Sequence, residues 1–180
     1  PSGTAQRPGD IVRAMDGTTI EIGNTDAEGR LTLADALAYG AREIKPDEMI
    51  DMATLTGAVV IALGLSVSGV FGSQDALTNR VLAAAQAAGE RMWRMPLHDE
   101  YREGLKSDIA DLNNISSQRG AGAIVAALFM RDFAAGIPWV HLDIAGTAFA
   151  ERDGPLGPKG GTGVAVRTLL AHLSAAAGSR

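Results

Sequence analysis

Asn24-Thr25-Asp26-Ala27-Glu28-Gly29-Arg30-Leu31 gathers two carboxylates and a guanidinium within five residues, beside a glycine. Upstream, residues 11–15 (IVRAM) and 18–22 (TTIEI) alternate around Asp16-Gly17, a dipeptide suited to the positive backbone angles of a tight hairpin. Downstream, Leu31, Leu33, Ala34, Leu37 and Ala38 recur at helical spacing. The octet is therefore predicted to lie where a strand feeds a helix, the kind of edge at which catalytic groups collect in open α/β sheets.

Two readings of the octet stand side by side. Carboxylates two positions apart on an extended turn can point into one space and bind divalent cations through oxygen, each ion offsetting their repulsion. The Arg30 guanidinium keeps its charge at any working pH, so it cannot accept a proton but can clamp an anion or stabilise developing negative charge. Alternatively, Thr25 to Glu28 has the form of a capping box, with Thr25 as N-cap and Glu28 reaching back, its acids favoured by the helix dipole. One arrangement can satisfy both.

The remaining chain alternates helical and extended segments, with no internal repeat and no linker marking a second domain. The first helix is expected to end near Glu43, ahead of Pro46. Strands are expected at 49–54, 67–71 and 139–144, and helices at 58–63, 77–88, 121–133 and 163–173. These elements predict an α/β fold in one domain over residues 1–180.

Further blocks accompany the octet: 52–57 (MATLTG), 91–97 (RMWRMPL), 110–115 (ADLNNI), 120–123 (GAGA) and 139–146 (WVHLDIAG). Together, in this order and spacing, they make the chain resemble the leucyl aminopeptidase family of two-metal exopeptidases over almost its full length. The resemblance implies a zinc-exopeptidase-like α/β fold, a mixed central β-sheet with helices on both faces, lacking its N-terminal portion. It implies a metal-dependent aminopeptidase, a hydrolase that releases N-terminal residues, leucine by preference, from peptides in the cytoplasm.

Carried over residue by residue, the resemblance implies that Asp26 ligates one ion and Glu28 bridges both ions of a zinc or manganese pair. Arg30 matches the family's catalytic arginine, which holds a bicarbonate ion as general base. Asn24, Thr54, Leu55 and Gly57 fall among the family's substrate-binding positions, and Ala145 at the far wall of its side-chain pocket. The family's other ligands, a lysine and two aspartates, belong to an upstream block that this sequence does not contain. Each Zn²⁺ or Mn²⁺ wants about four to six donors, more than Asp26 and Glu28 supply, so the chain alone is expected to be inactive. The resemblance also implies a homo-oligomer, a hexamer in the complete protein, or association with a complementary N-terminal fragment.

Other features point elsewhere or nowhere. A noncatalytic or DNA-binding interaction module is the rival reading, which the net charge of −5 disfavours. The absence of cysteine excludes disulfides and thiolate chemistry. The longest apolar stretch, 57–72, is short and broken by Gly64, Ser66, Ser68 and Gly69, so no membrane partner is expected. His141 and Asp143 share one side of a predicted strand and imitate a base with its orienter, but no nucleophile elbow accompanies them. Residues 91–95 read as packing with snorkelling arginines, and Asn113 and Asn114 as a site edge or a helix cap. Residues 154–163 fail the phosphate-loop spacing because Lys159 follows Pro158.

Overall fold

The computed structural model describes residues 2–178, so the expected domain range runs past the described residues at both ends. In chain order the elements are β1 (Ile11–Arg13), β2 (Thr19–Glu21), α1 (Gly29–Tyr39), β3 (Met49–Ala53), α2 (Gly57–Leu63), β4 (Ser68–Gly72), α3 (Asp75–Ala88) and β5 (Met92–Arg94). They continue with β6 (Leu112–Asn113), α4 (Gly122–Asp132), β7 (Trp139–Asp143), β8 (Phe149–Ala150), β9 (Gly160–Gly161) and α5 (Val166–Gly178). The result is the expected α/β class. Two compact units form, one from the chain up to Met49 with Leu97–Ile137, the other from Ile50–Pro96 with the chain from Pro138 on.

In the first unit the hairpin forms as its turn dipeptide dictates. Gly17 takes φ +100, and the Asp16 carboxylate accepts from the Thr18 amide (2.9 Å) and hydroxyl (3.0 Å). β1 runs antiparallel to β2 with Val12 opposite Ile20. β2 then pairs in parallel with β6, Ile20 opposite Leu112. α1 buries Ala34, Leu37 and Ala38, the stripe its spacing predicts. It packs on α4, whose Val125, Ala126, Leu128, Phe129 and Met130 are buried. A wider turn over Gly40–Ile44 prolongs α1 to the expected place, and Lys45 ends it at φ 50.

In the second unit the sheet order is β3-β7-β4-β5. β7 is buried along its whole length. β4 lies antiparallel to β7, with Phe71 opposite His141, and parallel to β5, so the sheet is mixed. Val70, Leu77, Val81, Val140, Leu142 and Ala165 form its core, and α3 packs on α5. Two expectations are corrected here. Residues 92–94 are an edge strand paired with β4, not merely packed side chains. The last helix begins at Val166 rather than 163, because Ala165 adopts φ 71. The buried Glu90 carboxylate meets the incoming amides of Ala165 (3.1 Å) and Thr168 (3.0 Å), capping the helix at that point.

Candidate metal and substrate-binding residues

The path from β2 into α1 carries the candidate metal ligands. The chain does not enter the helix through the expected capping box. Asn24, not Thr25, is the cap: its Oδ1 accepts from the Asp26 amide at 2.9 Å and opens a single tight turn over Thr25–Ala27. Glu28 occupies the N-cap position of α1 and makes no side-chain capping bond. The physical reason is the extra turn. It lies between Asn24 and the helix, so Glu28 stands past the point from which it would reach back.

This geometry leaves the two carboxylates available. Asp26 and Glu28 are exposed, and among the described residues their side chains take no hydrogen bond and no ion pair. Arg30, in the first turn of the helix, is buried, and its Nη1 donates to the Asn114 carbonyl at 2.8 Å. A chain that buries an arginine and exposes two neighbouring acids holds a fixed cation beside unsatisfied oxygen donors. Such a set suits part of a hard-cation shell. Among the described residues no three His, Cys, Asp or Glu stand together as an ion site, so Asp26 and Glu28 fit as members of a larger donor set.

The expected substrate-binding residues other than Asn24 lie in the second unit. Thr54 and Gly57 are exposed, Leu55 and Ala145 half-buried. Thr56 caps α2 by accepting from the Val59 amide at 3.1 Å. The buried Asp143 carboxylate accepts from the Leu55 amide (3.2 Å), the Thr56 hydroxyl (2.7 Å) and the Ala145 amide (3.2 Å). One acid thus ties the 54–57 turn to Ala145. Gly146 passes so close to the chain that a Cβ there would sit 2.2 Å from the Gly64 carbonyl oxygen, and only glycine permits that approach.

His141 and Asp143 do not form a dyad. His141 Nδ1 meets Asp51 Oδ1 at 2.6 Å, while Asp51 Oδ2 accepts from Trp139 Nε1 at 2.6 Å. Trp139 and His141 are buried and Asp51 is half-buried beside them, and Asp143 is spent on backbone amides and Thr56. Sequence reading overlooked Asp51 and left Asn114 as a site edge or a helix cap. The available signal was an acid inside the apolar run 49–53 and a second asparagine in the stretch between Leu112 and Ile115. No helix among the described residues is long and apolar enough to cross a membrane.

Residues 1–170 match the catalytic domain model of the cytosol aminopeptidase family. A probable cytosol aminopeptidase of Synechococcus sp. (strain WH7803) is 57% identical over 94% of this chain and 34% of its own length. One from Solibacter usitatus is 57% identical over 94% of the chain and 35% of its length. Among solved structures, the bottromycin maturation enzyme BotP in complex with Mn has 48% identity and a TM-score of 0.89, covering 98% of this chain and 39% of that one. A mutant of tomato leucine aminopeptidase has 47% identity and a TM-score of 0.88, covering 96% of this chain and 33% of that one. The chain spans about a third of the length of the curated relatives it matches. With nearly all of it accounted for by one family's catalytic domain, the chain belongs to the cytosol aminopeptidase family.

Proposed function

We propose that this chain is the C-terminal part of a metal-dependent aminopeptidase that removes N-terminal residues, leucine-like ones by preference, from peptides in the cytoplasm. The observation that carries the reading is the pair of exposed carboxylates, Asp26 and Glu28, without side-chain partners among the described residues and beside the buried Arg30. Family membership and the manganese in the BotP structure support it further.

In this reading Asp26 holds one ion of a zinc or manganese pair and Glu28 bridges both. When bound, the pair polarises the scissile carbonyl and brings water's pKa into the working range. Arg30 cannot take a proton, so it acts by holding an anion, bicarbonate, placed to serve as the base. The Leu55 and Ala145 segments, joined through Asp143, receive the substrate's main chain and first side chain, with Thr54 and Gly57 beside Leu55 in the chain, and Asn24 is a further substrate-binding residue. The remaining ligands come from the part of the protein outside this chain. Val166, Leu170 and Leu173, exposed along one face of α5, support assembly with further copies, as in a hexamer.

The test is hydrolysis of leucine p-nitroanilide by the complete protein supplied with Mn²⁺ or Zn²⁺, compared with the 180-residue chain alone. The complete protein is expected to turn over, faster on leucyl than on aspartyl substrate, and the isolated chain to be inert. A complete protein inactive with every divalent ion sinks the proposal, and turnover by the isolated chain contradicts the division of ligands.

A further inference from the structure

We propose that Asn114 is a positioning residue that locks the Asp26–Glu28–Arg30 turn into its metal-binding shape before any ion arrives. The inference rests on the reading above of Asp26 and Glu28 as ligands.

Asn114 is fully buried. Its Oδ1 accepts from the amides of Gly23 (2.8 Å) and Asn24 (3.2 Å), and its Nδ2 donates to the carbonyls of Asn24 (2.7 Å) and Ala27 (3.4 Å). Its own carbonyl accepts from Arg30 Nη1 at 2.8 Å, and its amide donates to the Glu21 carbonyl at 2.9 Å. One residue therefore grips the turn before, within and after the two carboxylates. Only a primary amide offers an acceptor and two donors in one plane, so aspartate in its place would keep the amide contacts and lose both carbonyl contacts.

The approach is close enough to exclude any side chain at position 23. A Cβ on Gly23 would lie 2.5 Å from Asn113 Oδ1 and 2.8 Å from Ile115 Cγ1. The neighbouring strands do not need the clamp. β2 and β6 have their own ladder, and Asp111 separately binds the Thr19 amide (2.9 Å) and hydroxyl (2.6 Å). What the Asn114 side chain adds falls on the turn alone. Two carboxylates two positions apart repel each other while no ion is present, and a backbone held at both ends of the turn keeps them in place. Arg30 is fixed by the same residue, so the cation's position relative to the acids is set in one step.

The test is calorimetric titration of Mn²⁺ into the metal-free complete protein, as wild type, Asn114→Asp and Asp111→Asn. Outer contacts of this kind are worth about 10–100-fold in metal affinity, and Asn114→Asp is expected to lose that much. Asp111→Asn removes the charge from a contact between the same strands without touching the turn, and its affinity should equal wild type. Wild-type affinity in Asn114→Asp, or an equal loss in both variants, overturns the proposal. Hydrogen exchange on the metal-free wild type decides independently, including the case in which Asn114→Asp does not fold. Slow exchange at the Gly23 and Asn24 amides is expected, and exchange that slows only after Mn²⁺ addition overturns it. A wild type that binds no Mn²⁺ removes the ligand reading itself, an outcome distinct from wild-type binding that the variant leaves intact.

Discussion

Asp26, Glu28 and Asp143 carry the same chemical group, and their surroundings divide them. Asp143 lies buried among three donors that consume its lone pairs, whereas Asp26 and Glu28 stand exposed with none among the described residues. Asp143→Ala leaves the Leu55 and Ala145 amides and the Thr56 hydroxyl without their acceptor, at about 1–3 kcal/mol for a buried group left unsatisfied. Denaturant unfolding of the complete protein should show that loss, and unchanged stability would refute the structural role. The sequence displayed Asp143 as an acid in an apolar strand and so disclosed that it was satisfied, but not by whom. Two of its three donors lie at positions 55 and 56, and nothing local encodes that distance. The same holds for Asn114, whose partners at 23, 24, 27 and 30 precede it by more than eighty residues.

At the scale of elements, what is local was legible. Asp16-Gly17 specified the hairpin, the recurrence of Leu and Ala specified α1, and the apolar residues Trp139, Val140, Leu142 and Ile144 specified β7 in spite of His141 and Asp143 among them. What depends on distant partners was not. β5 exists because Val70 and its neighbours offer a parallel ladder, and α5 starts late because Glu90 caps it. The entry to α1 was misread for a subtler reason: Asn24 and Thr25 are both good caps, and the extra turn over Thr25–Ala27 decides between them. Two long-range ties also make the first unit sensitive to acid. Asp111 is held below the usual carboxylate range by the Thr19 hydroxyl and then the Thr19 amide, and Asp99 by its hydrogen bond and charge contact with Arg131. A depressed folded pKa adds stability that is complete above the ordinary carboxylate range and drains away as pH falls through the folded value. Melting curves should therefore be flat near neutrality and fall in acid. Asp111→Asn should start lower and fall less steeply, and an acid slope identical to wild type would count against this origin.

Over the whole molecule, one family's catalytic domain accounts for residues 1–170, yet the chain is about a third of its relatives' length. The candidate ligands on it are two carboxylates, short of the about four to six donors that each transition-metal ion takes. The net charge of −5 favours cations over nucleic acid at its surface. The account thus turns on whether Asp26 and Glu28 take part in seating a pair of ions in the complete protein. Titrating Mn²⁺ into the metal-free complete protein, as wild type and as Glu28→Gln, tests this most directly. The account predicts two ions bound per wild-type chain and loss of the pair in Glu28→Gln. Two ions bound by Glu28→Gln with wild-type affinity would contradict it.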